Sequence, residues 1–222
     1  MLQIVIEAVI LSFAFGAGLS ALRHMNVFFR IIYAQLIVWI VFYILLHLLT
    51  FYQKQHGLVP NNQWLMNIHM VAETVLLATA AAVALRHSRA AVSAPAVLAG
   101  FILVFVFQVL RDGFTVYLNY ADVAECIGMT VLYGLLLYIL LTRPAAGRHV
   151  QSETMVCLGL LFYFAGSVPY LTMMHYIQLR DPELNHLLFD LISNVLAGVR
   201  YLSAGVAFLL AGRHAKLLRT TP

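Results

Sequence analysis

The sequence predicts an all-α integral membrane protein: a single bundle of seven transmembrane helices, with the N-terminus outside and the C-terminus in the cytoplasm. The chain is 63% hydrophobic and only 10% charged, whereas soluble domains are about 45–50% apolar and about 25% charged. It contains seven apolar stretches, each near the ~20 residues that a helix needs to cross a bilayer. Its basic residues are concentrated on alternate connections, as in polytopic membrane proteins.

The seven spans are predicted at residues 3–22, 28–50, 64–85, 92–111, 119–142, 154–177 and 187–211. They use nearly all of residues 1–222, so we expect one domain without a soluble module. The short connections favour antiparallel neighbours in an up-and-down bundle. In the first segment Glu7 precedes the first basic residue, Arg23, which is the reverse of a signal peptide. We therefore expect this segment to be retained as a helix.

The orientation follows from the 13 lysines and arginines. Three of them, Lys54, Arg111 and Arg180, lie on one side of the predicted bundle, and Arg200 lies inside the last span. The other nine lie on the opposite side: Arg23, Arg30, Arg86, Arg89, Arg143, Arg148, Arg213, Lys216 and Arg219. The positive-inside rule makes that side cytoplasmic, and we expect the cytoplasmic membrane of a bacterium. The net charge of +4 thus reflects topology, and no nucleic-acid partner is predicted.

An Arg-His dipeptide recurs at 23–24, 86–87, 148–149 and 213–214. The copies are thus regularly spaced along the chain. Either a duplicated hairpin or the thickness of the bilayer would produce this regular spacing, and in both cases the dipeptides mark the cytoplasmic boundary. Glu73 precedes Arg86 by thirteen residues, and Arg200 precedes Arg213 by thirteen. Both therefore lie about 20 Å above that boundary. Because either charge alone is costly in a membrane, we predict a Glu73–Arg200 ion pair, which is either structural or functional.

Polar residues share faces on several predicted helices, and eight of the nine acids lie in the outer half or the outer loops. Charged side chains within spans usually face the bundle interior. We therefore predict a polar cavity that opens to the outside and binds a ligand. Its predicted lining residues are Glu73, Arg200, Asn194, Asp190, Glu125, Asp122, Tyr163, Tyr170 and Gln108.

A metal site is an alternative use of the same region. His69 and Glu73, and likewise His186 and Asp190, are four residues apart, so each pair lies on one helix face within reach of one ion. Such ligands suit zinc or a non-haem metal, and facing histidines can also ligate haem. We predict that no cofactor is bound, and zinc and haem are alternatives to that prediction.

These features favour a ligand-binding, sensor-like protein or a subunit of a membrane complex. The expected partners are the lipid bilayer, a small-molecule or lipid ligand from the outer side, and a membrane or cytoplasmic protein. A metal-dependent, hydrolase-like membrane enzyme and a proton-coupled transporter of small solutes are the alternative functions.

Four glycines within the predicted spans permit close contacts between helices. They are Gly128, Gly134, Gly159 and Gly166.

Overall fold

The structure is a computed structural model that describes residues 2–142 and 150–220, and within these ranges the side chains of 2–4, His175, Asp190, Ser193 and 214–220 are excluded. The basic residues Arg143 and Arg148 of the predicted fifth loop lie outside the described residues. The helices are α1 (Leu2–Ala21), α2 (Val27–Gln55), α3 (Gln63–Leu85), α4 (Ser93–Asp112), α5 (Asn119–Thr142), α6 (Val150–Arg180) and α7 (Pro182–Thr220). Single 3-10 turns, Leu22–His24 and Arg89–Val92, precede α2 and α4.

Among the described residues, seven helices are long and apolar enough, by length and composition, to cross a membrane, with mean hydropathies from 1.6 to 2.4. This confirms the predicted all-α, seven-helix fold class, whereas the orientation stays a prediction. The fifth helix has the bounds predicted for it, whereas α6 and α7 run well beyond their apolar stretches, over 31 and 39 residues. At 1.5 Å per residue they are about 46 and 58 Å long, against a hydrocarbon core of about 30 Å.

The helices form a ring that is weakly closed at one place. The first helix, α1, packs chiefly on α7, which also packs on α6, and α6 in turn packs on α5. On the other side, α2 packs chiefly on α3, and α3 packs on α4 and α5. Contacts of α2 with α1 and α7 are sparse. A seam therefore separates α2 from α1 and α7.

Two helix starts show how local sequence sets the element bounds. The side chain of Asn26 accepts a hydrogen bond from the backbone N–H of Phe29, which caps α2. Asp181 Oδ1 accepts from the N–H of Leu184 at 2.9 Å, and Pro182 occupies the first turn of α7. In α6 the helix continues through Pro169. The seventh helix therefore begins at Pro182, five residues before the predicted start of its span at 187.

The glycines of α6 pack against α7. A Cβ on Gly159 would lie 2.6 Å from Cβ of Ser203, and one on Gly166 would lie 2.9 Å from Leu196. By contrast, a Cβ on Gly134 would meet its nearest neighbour, Leu161, at 3.8 Å. The close approach of α6 and α7 thus depends on the missing side chains of two glycines.

Candidate functional site

Glu73 and Arg200 form an ion pair in the centre of the bundle. The Glu73 carboxylate on α3 contacts the Arg200 guanidinium on α7, and both residues are buried, with 5% and 4% of their surface exposed. The contact predicted from their equal depth is present. A buried charge that lacks such a partner is strongly destabilising.

Two further side chains engage Glu73. Gln35 on α2 donates from Nε2 to Glu73 Oε1 at 3.2 Å, and Nδ1 of His69 lies 3.7 Å from Oε2. His69 is one turn before Glu73 on the same helix and is also buried. Both carboxylate oxygens therefore have neighbours, and the group links α2, α3 and α7.

The guanidinium of Arg200 is surrounded by aromatic rings. Its central carbon lies 4.7 Å from the ring centroid of Tyr163, 5.3 Å from that of Tyr201 and 5.5 Å from that of Phe164. Rings at these distances stabilise a cation through their negative faces. Tyr163, predicted as a cavity residue, thus lies against Arg200.

The cavity that borders Arg200 is small. Its volume is about 10 Å³, close to the least that a water molecule needs. It lies between α2, α6 and α7, and its lining consists of Ile32, Gln35, Leu36, Val156, Leu160, Arg200, Tyr201 and Ala204. Most of these residues are nearer the cytoplasmic helix ends in the predicted orientation. The outward-facing cavity remains a prediction.

Two more acids lie on the neighbouring face of α5. Glu125 is buried, interacts electrostatically with Glu73 and Asp122, and has no hydrogen-bond partner for its Oε1. Asp122 accepts a hydrogen bond from the hydroxyl of Tyr117. Burial and the Asp122 carboxylate raise the pKa of the Tyr117 phenol well above its usual range. The cluster therefore brings three acids near one arginine.

A polar and aromatic stripe on α2 faces the cluster. Its members, Gln35, Trp39, Tyr43 and His47, follow one another at four-residue intervals, which places them on one helix face. The Trp39 ring lies 4.8 Å from that of His69 and is stacked 6.4 Å from that of Tyr201. Trp39 Nε1 and His69 Nε2 are buried atoms without a hydrogen-bond partner in the described part of the chain.

The outer end of the stripe contacts α1. The Tyr43 hydroxyl is hydrogen-bonded to the half-buried carboxylate of Glu7, and the exposed His47 lies close enough for electrostatic interaction with it. The Tyr43 and His47 rings are 4.3 Å apart. Glu7 is thereby placed on the seam between α1 and α2.

Several predicted cavity residues have other neighbours. Gln108 accepts from the backbone N–H of Ala121 at 3.0 Å, so its carbonyl caps the first turn of α5. Tyr170 donates to Asn185 Oδ1 at 3.0 Å, which joins the outer parts of α6 and α7. Asn194 is half-buried on α7, and the Asp190 side chain lies outside the described residues.

The structure does not bring the described members of the predicted metal-ligand set together at one place. His69 and Glu73 are adjacent and buried, whereas His186 is exposed. Among the described side chains, no group of three or more His, Cys, Asp or Glu residues could hold an ion. Asp190, the fourth predicted ligand, is outside that set.

The sequence analysis missed Gln35, Trp39 and Tyr201 as site residues. The signal for Gln35 and Trp39 was the four-residue interval that they share with Tyr43 and His47 on α2, whereas Tyr201 on α7 has no such signal. Comparison of the chain with protein-family models, with curated proteins and with solved structures finds no match.

Proposed function

We propose that this chain is a ligand-binding, sensor-like protein of a bacterial cytoplasmic membrane, and that the charge cluster around Glu73 and Arg200 forms its binding site. The observation that carries the proposal is a set of unpartnered buried atoms beside the ion pair. They are His69 Nε2, Trp39 Nε1 and Glu125 Oε1. A buried polar atom without a partner costs about 1–3 kcal/mol, so each such atom needs a physical explanation, and a functional role is one of them.

The ion pair supports the proposal less directly. It could serve only to neutralise two charges and fix helix packing. The unpartnered atoms are not explained by the ion pair, because His69 Nε2, Trp39 Nε1 and Glu125 Oε1 take no part in it. A ligand that bonds to them would contact α2, α3 and α5 together.

The seam that separates α2 from α1 and α7 offers a way for ligand binding to change the arrangement of the helices. Since α2 is held mainly by α3 and only sparsely by α1 and α7, a ligand that bridges α2 to the cluster would strengthen the weak side of the ring. A ligand shifts an equilibrium only by its differential affinity for the two states. The proposed output is a changed arrangement of cytoplasmic helix ends, recognised by a separate partner protein.

The test is a thermal-stability screen of the purified full chain. Small amines, carboxylates, amino acids and sugars would be added singly to the wild type, to Glu125→Gln and to a matched control, Glu183→Gln, which removes an exposed acid on the same side. We expect one of these classes of compound to raise the melting temperature of the wild type and of the Glu183→Gln control, but not that of Glu125→Gln. Equal shifts in all three proteins, or no shift with any class, would reject the proposed binding site.

Proton-coupled transport of a small solute is the second candidate. Glu73, Asp122 and Glu125 interact with one another near a single arginine, so electrical neutrality inside the membrane requires bound protons or a cationic solute. In proteoliposomes with an internal pH dye, a transporter would carry protons with its solute, and Glu125→Gln would abolish that flux. A sensor would show ligand-dependent stability without proton flux.

A further inference from the structure

We infer that the ligand is an organic ammonium ion, bound in the seam between α1 and α2 by the carboxylate of Glu7 and the rings of Trp39, Tyr43 and Tyr201. This inference rests on the proposed function and names the ligand class. It adds an outer part, on α1 and α2, to the cluster around Glu73.

The charge of the seam favours a cation. Glu7 is a half-buried acid on α1, and the groups beside it are the Tyr43 hydroxyl and the His47 ring. No arginine or lysine among the described side chains forms an ion pair with it. A carboxylate partly removed from water without a permanent counter-charge attracts a cation and repels an anion.

The rings provide the second element of ammonium recognition. Trp39 and Tyr201 are nearly parallel, with an interplanar angle of 18° and centroids 6.4 Å apart. The Tyr43 ring is tilted by 49° to that of Trp39 at 6.1 Å. An ammonium group within about 6 Å of such faces is attracted by their quadrupoles, most strongly by tryptophan. Of these rings, that of Tyr43 carries the hydroxyl bonded to Glu7, and Tyr201 lies close enough to Glu7 for electrostatic interaction.

The unpartnered nitrogens supply hydrogen bonds at the inner end of the seam. His69 Nε2 is able to accept from an ammonium N–H when Nδ1, next to Glu73, carries the ring proton. Trp39 Nε1 donates to any oxygen that the ligand carries. The centroids of the two rings are 4.8 Å apart, so the two unpartnered nitrogens belong to adjacent rings.

This arrangement also connects the seam with the ion pair. His69 has one nitrogen near Glu73 and the other unpartnered, so a ligand bond to Nε2 fixes the tautomer that donates toward Glu73. Tyr201 has its ring 5.3 Å from the Arg200 carbon and is stacked on Trp39. Occupation of the seam would therefore be transmitted to Glu73 and Arg200 through two adjacent rings.

Tryptophan fluorescence provides the test. The chain has two tryptophans, so Trp64→Phe leaves Trp39 as the only reporter in the full-length protein. n-Butylammonium would be titrated against n-butanol, which has the same number of heavy atoms and no charge. We expect a saturable change in Trp39 fluorescence with n-butylammonium and at least tenfold weaker binding of n-butanol.

Variants in the Trp64→Phe background locate the site. Glu7→Gln should weaken n-butylammonium binding at least tenfold, and Glu183→Gln should leave it unchanged. Tyr201→Leu should also weaken binding tenfold, whereas Tyr201→Phe, which keeps the ring, should bind within about threefold of the parent. The tyrosine pair keeps the test decisive if Glu7→Gln does not fold.

Three results would overturn the inference: absence of a saturable signal, equal binding of n-butanol, and tight binding after loss of both Glu7 and the Tyr201 ring. Equal binding of n-butanol would identify the seam as an apolar groove for lipid chains. The proposed function would survive these results if the stability screen found an anionic or neutral ligand that depends on Glu125. A screen without any hit would reject both.

Discussion

The oxygen of Glu73 that contacts Arg200 is also the oxygen that accepts a hydrogen bond from Gln35. One atom on α3 is thus shared between α7, which packs on α1 and α6, and α2, whose contacts with α1 and α7 are otherwise sparse. The side chain of Glu73 holds the weak side of the ring together in the interior of the bundle. Several expected outcomes depend on this atom and on a few other buried contacts.

Removing one member of the ion pair should be far more harmful than removing both. Glu73→Gln leaves the Arg200 guanidinium buried without a counter-charge and should lower the free energy of unfolding by about 3–5 kcal/mol. The double variant Glu73→Gln with Arg200→Met should lose much less, because no charge remains. Denaturation in mixed micelles would measure both, and equal losses in the single and double variants would contradict the argument.

Asn67 should be a major determinant of the outer connection between α4 and α5. Its Nδ2 donates to the carbonyls of Phe114 and Val116 at 2.9 and 2.8 Å, and its Oδ1 accepts from the N–H of Leu118. Asn67→Ala leaves these backbone groups without their partner and should cost about 2–3 kcal/mol. The exposed Asn61→Ala is the control, with a change within about 0.5 kcal/mol. A similar effect of the two substitutions on unfolding would contradict this role.

A methyl group added at Gly159 of α6 should be costly, and one added at Gly134 of α5 should be harmless. Gly159→Ala would place Cβ 2.6 Å from Cβ of Ser203, which forces α6 away from α7 and should cost about 1–3 kcal/mol. Gly134→Ala has 3.8 Å to its nearest neighbour and should be neutral or slightly stabilising, since alanine favours helix by about 1 kcal/mol. Thermal unfolding of both variants in one detergent would decide the comparison.

The Tyr117 phenol should make the protein sensitive to alkali. Its pKa is raised above the usual value in the folded state by burial and by Asp122, so the unfolded chain releases this proton at lower pH than the folded one. The stabilisation is complete below about pH 10 and decreases as the pH rises toward the folded pKa. Tyr117→Phe should therefore lose less stability than the wild type between neutral and alkaline pH. Parallel pH profiles would show that the phenol does not contribute.

The orientation should be visible with fused reporters. A reporter active only in the cytoplasm should work after Arg219 or between Arg86 and Arg89, and should fail in the 51–62 connection, because the basic residues place the first two positions inside. The opposite pattern would invert the bundle and the depth assignment of Glu73 and Arg200.

The fold was predictable because the bilayer restricts a chain of this composition to spanning helices. The ion pair was predictable too, since the Arg-His dipeptides supply a common depth reference for α3 and α7. Depth along a helix is set by residue number alone. The contacts between side chains of different helices also depend on the rotation and tilt of each helix and on which helices are neighbours. The sequence does not state these three quantities directly.

Gln108 and Gln35 illustrate that limit. Gln108 shares a polar face with Arg111 and Asp112, yet its carbonyl is used by the backbone of Ala121. Gln35 lies in an apolar stretch and is absent from the predicted cavity lining, yet it donates to Glu73. The stripe from Gln35 to His47 was readable as a pattern, but its partners on α1, α3 and α7 follow only from the packing order of the helices.

The packing of α1 on α7 has a consequence for assembly. The segment Leu2–Ala21 is synthesised long before Pro182–Thr220, so the first helix has to wait in the lipid for its principal partner. The span Val5–His24 has a high mean hydropathy of 2.0, which favours its insertion as a single helix. During this interval Glu7 lacks the completed seam, and its carboxylate depends on Tyr43 of the next helix for a hydrogen bond. Packing of α7 onto α1 therefore follows the synthesis of α1 by more than 150 residues, and α7 is the helix that brings Arg200 to Glu73.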